Sequence, residues 1–191
     1  MRIGLLGGSF NPAHAGHRHV ADLALRRLRL DQVWLLVSPG NPLKSNDGMA
    51  ALAQRFASAR KIADDRRVVA TIIEARLSTS FSIDTLRLLL RRFPRVKFVW
   101  LMGADILSQL PRWLNWQALL RLVPIAVVPR PGYTSRALAG QAARWLRHAR
   151  RREHAACLLP GAAPGWVLLT TPQTAVSATA IRAGAVEGAL P

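Results

Sequence analysis

A glycine turn followed by two histidines, placed directly after a short apolar run, constrains this chain more than any other feature. The run Ile3-Gly4-Leu5-Leu6 has the composition of a buried strand, and the sequence continues as Gly7-Gly8-Ser9-Phe10-Asn11-Pro12-Ala13-His14-Ala15-Gly16-His17. Glycines let a backbone approach an anion closely. A helix that begins near Gly16 would direct unpaired N–H groups and the positive end of its dipole at that anion. Because His14 and His17 can then donate hydrogen bonds to phosphate oxygens, the segment predicts a nucleotide site.

The two histidines also have plainer interpretations. They could be surface or helix-capping residues, or they could ligate a metal ion. No cysteine or carboxylate lies near them in the sequence to complete a zinc site. We therefore expect no metal held by protein ligands alone.

Length and composition favour one globular protein. The chain has 191 residues and 50% of them are hydrophobic, which suits a packed core and argues against disorder. No linker or repeat divides the sequence, so we expect one domain over residues 1–191. No apolar stretch approaches the roughly 18–20 residues of a membrane span, and the first apolar run is too short for a secretory signal. The single cysteine, Cys157, fits a reducing compartment, and we expect a cytoplasmic protein.

The formal charge of +17 raises the alternative of a nucleic-acid-binding domain. The charge is almost all arginine and is scattered along the chain. Its densest run, Arg147-His148-Ala149-Arg150-Arg151-Arg152, lies in a segment with a helical pattern and is interpreted as a solvated face. Nucleic acid is therefore disfavoured as the partner, whereas the positive field should attract small anionic substrates.

Short β-rich apolar runs alternate with longer amphipathic stretches. The predicted strands cover residues 2–6, 33–38, 68–73, 96–102, 125–128 and 167–169. The predicted helices cover residues 17–29, 50–63, 82–92, 104–122 with a break at Pro111, and 135–151. This alternation predicts an α/β fold, a Rossmann-like, doubly wound parallel sheet in three layers.

Each distinctive polar cluster follows a predicted strand. The clusters are 7–17 after the first strand, 39–44 after the second and 103–105 after the fourth. In parallel sheets, ligands bind beyond the carboxyl ends of the strands, where the strand order reverses. The three clusters are therefore expected to form one site.

These residues resemble a known superfamily. The first cluster resembles the T/HxGH signature of the nucleotidylyltransferases, which join a nucleotide monophosphate unit to a phosphate nucleophile. The closing run Val176-Ser177-Ala178-Thr179-Ala180-Ile181-Arg182 resembles their SxTxIR motif, whose hydroxyls and arginine are implied to grip the leaving triphosphate. Capping of a helix by Ser177 or Thr179 is the plainer alternative.

Further segments resemble the nicotinate-nucleotide adenylyltransferase family. They are Pro39-Gly40-Asn41-Pro42-Leu43-Lys44, Ser80-Phe81-Ser82-Ile83-Asp84-Thr85-Leu86, Gly103-Ala104-Asp105, Leu110-Pro111-Arg112-Trp113 and Arg130-Pro131-Gly132-Tyr133. With the end motifs, the resemblance covers residues 3 to about 184. It implies transfer of the adenylyl group of ATP to nicotinate mononucleotide, with Mg²⁺ brought in by ATP.

The resemblance also implies roles for individual residues. The implied catalytic residues are His14, His17, Lys44 and Arg182. The implied ATP-binding residues are Gly7, Gly8, Ser9, Phe10, His14, Gly16, His17, Gly103, Asp105, Ser177, Thr179, Ile181 and Arg182. The implied binding residues for the second substrate are Ser9, Lys44, Ser82, Thr85, Trp113 and Arg130, with the indole of Trp113 stacked on the pyridine ring. Trp113 as core, Asp105 as a helix N-terminal residue and Ser82 as a helix cap are the alternatives.

The sequence departs from the family pattern in three places, and two related reactions remain as alternatives. Ala13 stands where the family commonly has proline, and Asn11 where some members have aspartate. Relatives are expected to continue past the last motif with a further helix, whereas this sequence ends at Pro191, so we expect that helix to be missing or truncated. Pantetheine-phosphate and nicotinamide-mononucleotide adenylyltransferases share the end motifs, and a class I tRNA synthetase fragment is disfavoured because no K-M-S-K-S run occurs.

Overall fold

In the computed structural model, the described residues form one sheet of seven parallel strands in the order β3-β2-β1-β4-β5-β7-β6. The structure describes residues 1–40, 48–64 and 66–170. In chain order the elements are β1 (Arg2–Gly8), α1 (Ala15–Arg27), β2 (Gln32–Val37), α2 (Leu52–Ile62), β3 (Val68–Thr71), α3 (Ile73–Arg76), α4 (Ser82–Arg92), β4 (Lys97–Gly103), α5 (Ala104–Gln109), α6 (Trp116–Leu122), β5 (Ile125–Val128), α7 (Thr134–Leu138), α8 (Gln141–Trp145), β6 (Arg150–Arg151) and β7 (Trp166–Leu168). Within the described ranges, short 3₁₀ turns also cover Leu110–Arg112, Arg147–Ala149 and Glu153–Leu158.

Alternating side chains of the central strands bury the two faces of this sheet. In β4, Val99 and Leu101 pack in the cluster that contains α1 and α2. Phe98, Trp100 and Met102 lie on the opposite face, against α4, α5 and α6. Burying each such side chain contributes about 1.5–3 kcal/mol, so helices on both faces are needed to cover the sheet. The predicted three-layer, doubly wound α/β fold is confirmed.

The sequence pattern located most elements correctly. α4 has the predicted bounds, Ser82–Arg92, and the predicted break at Pro111 is a 3₁₀ turn between α5 and α6. Phe81 is the N-cap of α4 and no side chain caps this helix, so the interpretation of Ser82 as a cap is wrong.

The predicted helix over residues 135–151 is wrong. Gly140, in extended conformation, separates α7 from α8, and the chain then passes through a 3₁₀ turn into the edge strand β6. The basic run that begins at Arg147 is therefore not α-helical, since it forms a 3₁₀ turn over Arg147–Ala149 and then the strand β6. Arg150 instead lies over the ring of Trp166, 5.1 Å from its centroid, which anchors the edge strand by a cation–π contact.

The strand order identifies the position in the sheet where a ligand is expected to bind. The chain winds from β1 toward β2 on one side and toward β4 on the other, so the order reverses between β1 and β4.

Within the described ranges, no helix is both long enough and apolar enough to cross a membrane.

Candidate active site

The histidine pair stands at the carboxyl end of β1, where the backbone holds both rings. His14 is the N-cap of α1. The N–H of Gly16 donates to Nδ1 of His14 at 3.1 Å, and the N–H of His14 donates to Nδ1 of His17 at 3.2 Å. A neutral imidazole carries one N–H, so with Nδ1 accepting, the proton lies on Nε2 in each ring. The two ring centroids are 3.9 Å apart, and the pair offers two Nε2–H donors.

The helix N-terminus is used differently from the sequence prediction. The N–H of Gly16 goes to the His14 ring, and the N–H of His17 goes to the His14 carbonyl at 2.9 Å. The expectation that these amides face an anion unpaired is therefore wrong. The histidine side chains and the loop before the helix are left to meet a phosphate.

Both histidines are neutral at neutral pH. Burial lowers the pKa of His14 to about 4, and the positive charge of Arg130 acts in the same direction. Burial lowers the pKa of His17 to about 3, with the charges of His14 and Arg130 acting in the same direction and a hydrogen-bond interaction with the His14 backbone acting against it. A bound phosphate favours the charged form of a neighbouring histidine. The pair is thus a set of neutral donors that gains proton affinity when an anion arrives.

The ring of Phe10 backs His17. Phe10 has a left-handed φ of 48° and is 1% exposed, and its ring centroid lies 4.8 Å from that of His17. A Cβ on Gly8 would lie 3.3 Å from the Phe10 ring, and a Cβ on Gly7 would lie 3.2 Å from the Trp100 ring. From the sequence, these glycines were interpreted as residues that let the backbone approach a bound anion closely. The structure adds a packing reason, because they make room for two aromatic rings.

An ion pair lies beyond the carboxyl ends of β4 and β5. Nη1 of Arg130 donates to Oδ2 of Asp105 at 2.7 Å. The other oxygen, Oδ1, is buried, and no described group donates to it. Oδ1 also occupies the space that a Cβ on Gly103 would need, which explains the glycine of this motif. Because buried acceptors are normally satisfied, this oxygen is suited to a donor on a ligand.

Trp113 lies half-buried after the 3₁₀ turn that follows α5, with its ring edge-on to Trp100 at 6.2 Å between centroids. It packs against the core cluster under α4 and α6 and still keeps part of its surface accessible. Ser82 is also half-buried, at the start of α4. Both positions are compatible with contact to a ligand, and their binding roles stay predictions.

Thr85 is placed differently from Ser82. Its side chain is fully buried, and its hydroxyl lies 2.8 Å from that of Thr79 and 3.3 Å from Oε1 of Glu74. Through these contacts, the hydroxyl links the start of α4 to Glu74 and Thr79 in the preceding segment of the chain. The sequence prediction that Thr85 meets the substrate remains untested, and the sequence analysis missed Glu74 altogether.

Glu74 gives a pH-dependent prediction. Burial raises its pKa from 4.5 to about 7, opposed by the hydrogen bond from Thr85. Between those two pH values the folded chain keeps a proton that the unfolded chain has released. Its contribution to stability is therefore full below pH 4.5 and is lost as the pH rises through 7. The shift corresponds to about 3 kcal/mol.

We expect Glu74→Gln to remove this contribution. The free energy of unfolding, measured by urea titration at about pH 5 and about pH 8, should fall with pH more steeply in the wild type than in the variant. His14 and His17 act in the opposite direction, since their lowered pKa values cost stability below pH 6.5. Because wild type and variant share these histidines, the difference between their changes in unfolding free energy with pH isolates Glu74. Equal changes in the two proteins would show that Glu74 ionises normally.

Several predicted site residues lie outside the described residues. They are Lys44, Ser177, Thr179, Ile181 and Arg182, together with the end of the chain, where the family's last helix is expected to be missing or truncated. Among the described residues, no group of three or more histidine, cysteine or acidic side chains is arranged to hold a metal ion.

Arg55 is a further buried residue near this site that the sequence analysis missed. Leu52, Arg55, Ala59 and Ile62 follow one another at helical spacing along α2, and Ala59 and Ile62 belong to the core. An arginine on an apolar helical stripe is the signal that could have found it.

Comparison with known proteins agrees with the geometry. The sequence matches the family described as Cytidylyltransferase-like over residues 5–184, and the chain belongs to this family of α/β proteins. A Gluconobacter oxydans protein named "Probable nicotinate-nucleotide adenylyltransferase" is 59% identical over 183 residues, covering 95% of this chain and 94% of the relative. A protein of the same name from Parvibaculum lavamentivorans is 53% identical over 183 residues, covering 95% and 91%. Within the wider family, the chain is a member of the nicotinate-nucleotide adenylyltransferases.

A solved structure shares the fold. The chain is similar to Plasmodium falciparum nicotinic acid mononucleotide adenylyltransferase complexed with NaAD, with a TM-score of 0.72 over 95% of this chain and 82% of the other. Since the two sequences are only 15% identical, this likeness concerns the fold. The family resemblance predicted from the motifs is confirmed.

Proposed function

We propose that this protein transfers the adenylyl group of ATP to nicotinate mononucleotide, giving deamido-NAD and pyrophosphate. The observation that carries the proposal is the neutral histidine pair, His14 and His17, with its Nε2–H donors at the β1–β4 switch point. Arg130 adds a positive charge close enough to lower both pKa values. Family membership supports nicotinate mononucleotide as the acceptor.

The reaction needs no general base. An oxygen of the acceptor phosphate, already ionised at neutral pH, attacks the α-phosphorus of ATP. The bond from the α-phosphorus to the bridging oxygen of the β-phosphate breaks, and pyrophosphate leaves with the electron pair. Positioning two bound substrates can supply about 7–11 kcal/mol of the barrier, and donors aimed at the developing charge supply more.

The chain's own residues stabilise that charge. His14 and His17 donate Nε2–H to phosphate oxygens, and the amides after Gly8 add backbone donors. Lys44 and Arg182 are proposed to bind the phosphates as well, as the sequence motifs imply. Mg²⁺ brought in with ATP would offset negative charge on the triphosphate, and we expect the ATP phosphates rather than a cage of protein ligands to hold it. We place the reaction in the cytoplasm, where a chain with one cysteine meets reducing conditions.

We expect Trp113→Ala to raise the KM for nicotinate mononucleotide about tenfold, because stacking of a ring on an indole contributes about 1–3 kcal/mol. The KM for ATP should not change. Trp113→Phe keeps a flat ring and should lose less. Trp116→Ala is the matched control, since Trp116 packs against Trp145 at 5.8 Å and its loss should lower only the melting temperature. An unchanged KM in Trp113→Ala would assign Trp113 to the core.

The function is tested by pyrophosphate release from MgATP with nicotinate mononucleotide, nicotinamide mononucleotide or phosphopantetheine at equal concentrations. Release well above the others with the nicotinate substrate is the expected result. Faster release with either alternative acceptor would contradict the assigned substrate. Absence of release with all three, from protein that still melts cooperatively, would contradict adenylyl transfer.

A further inference from the structure

The buried Arg55 ties together the loops that follow β1 and β2. Its Nη1 donates to the carbonyls of Ser9 at 2.8 Å and Ser38 at 2.6 Å, and its Nη2 donates to that of Pro39 at 3.2 Å. Nε donates to the carbonyl of Ala50, before α2, at 2.9 Å. One guanidinium thus joins three segments of the chain at the edge of the sheet where the candidate site lies.

Arg55 is a buried cation, and its charge is balanced by no carboxylate among the described residues. The residue is 2% exposed, and within the described ranges no carboxylate forms an ion pair with it. Burial lowers the pKa of its guanidinium. A buried cation is costly when nothing offsets it. Carbonyl oxygens satisfy its donors without cancelling its charge, so among the described residues Arg55 is a positive group beside the loop that follows β1.

The grip on Ser9 also determines the direction of the next amide. In a planar trans peptide the C=O and the following N–H point in opposite directions. Because the Ser9 carbonyl points to Arg55, the N–H of Phe10 points away from Arg55 and from the loop after β2. Among the described residues, no protein acceptor takes that N–H. On the side of β1 opposite β2 lies β4, and Asp105 is in α5, which follows β4 directly.

Two further contacts fix the rest of the loop to α2. The hydroxyl of Ser58, one turn after Arg55, accepts from the N–H of Ala13 at 2.7 Å. The side chain of Asn11 donates to the carbonyl of Gly48 at 3.0 Å and accepts from the N–H of Ala50 at 3.3 Å. The loop is therefore held on both sides of the strained Phe10, whose ring supports His17.

We propose that Arg55 is a positioning residue for adenylyl transfer: by holding the Ser9 carbonyl, it aims the Phe10 N–H at the phosphates of bound ATP and keeps the Phe10 ring against His17. This inference rests on the proposed function for its substrate. Arg55 does not touch the substrate and acts through the Ser9–Phe10 peptide. The amide then supplies a donor that costs no reorganisation when charge develops.

The kinetic test compares Arg55→Met and Arg55→Lys with Arg60→Met, an exposed arginine on the same helix. Arg55→Met should lower kcat at least tenfold with smaller changes in either KM, because a donor aligned for the transition state is lost. Arg55→Lys should recover only part of the rate, since one ammonium cannot reach all four carbonyls. Addition of guanidinium ion should raise the rate of Arg55→Met and leave that of Arg60→Met unchanged. Melting temperatures measured in parallel give the folded fraction.

A second test does not depend on turnover. In the wild type, titration with MgATP or pyrophosphate should shift the ¹⁵N–¹H resonance of Phe10 downfield, as expected for an amide that donates to phosphate. In Arg55→Lys that shift should be lost or much reduced, while the Gly140 amide, which donates to the Ala137 carbonyl, behaves as in the wild type.

The outcomes separate this proposal from the proposed function. A Phe10 resonance that ignores both ligands in the wild type, or unchanged kcat per folded molecule in both Arg55 variants, would overturn the role of Arg55. If the wild type transfers no adenylyl group but its Phe10 amide responds to pyrophosphate in an Arg55-dependent way, the positioning role stands and the assigned reaction fails.

Discussion

The variant His17→Asn is expected to lose about a hundredfold or more in kcat, with both KM values within about threefold of the wild type. The reason is the tautomer fixed by the backbone. Nδ1 of His17 accepts from the His14 N–H, which leaves Nε2–H to stabilise charge on the phosphates. Asparagine can place its amide oxygen near Nδ1 and keep that acceptor, but it cannot reach the position of Nε2.

The matched variant is His17→Gln, whose longer side chain carries an N–H donor near the position of Nε2. It should retain more of the rate than His17→Asn. Initial rates of pyrophosphate release over a matrix of both substrate concentrations give kcat and the two KM values, and thermal melting checks the fold. A large rise in KM with normal kcat would assign His17 to ground-state binding. Equal losses in the two variants would exclude the Nε2 donor.

Local sequence signals predicted the fold where the structure depends on local periodicity. The amphipathic pattern of residues 82–92 predicted α4, and short apolar runs predicted the central strands β1, β2 and β4. The helix predicted over residues 135–151 failed because its end is decided by a distant partner, since Arg150 pairs with Trp166 in the sheet. The periodicity of residues 135–151 carries no information about this pairing with Trp166. Gly140 was the local sequence signal against one continuous helix.

The same distinction applies to the site. His14 and His17 were predictable because the loop and the helix start that position them are contiguous with them. Arg55 was not, since three of its four carbonyl partners lie 46, 17 and 16 residues away in the sequence. Glu74 is likewise defined by Thr85, 11 residues further on. Residues that touch a ligand are named by a motif, whereas residues that hold the motif in place are revealed by the folded chain.

Asp105→Asn is expected to raise the KM for ATP about tenfold to a hundredfold, as the loss of a hydrogen bond to a charged acceptor costs about 1.5–3 kcal/mol. Oδ2 of Asp105 accepts from Arg130, and the buried Oδ1 has no donor among the described residues. The asparagine amide must turn its only oxygen to Arg130. Its NH₂ group then stands where Oδ1 stood and cannot accept a hydrogen bond from the nucleoside.

Substrate analogues distinguish this direct contact from an effect through Arg130. Adenosine offers donors on its ribose hydroxyls and its exocyclic amine, so 2′-deoxy-ATP, 3′-deoxy-ATP and inosine triphosphate each remove one. The wild type should discriminate against the analogue whose donor meets Oδ1, and Asp105→Asn should lose that discrimination. Asp31→Asn is the control, because Asp31 accepts a hydrogen bond from the Arg2 N–H at the amino end of β1, away from the candidate site. If Asp105→Asn discriminates as the wild type does, the carboxylate serves only to hold Arg130 beside the histidine pair.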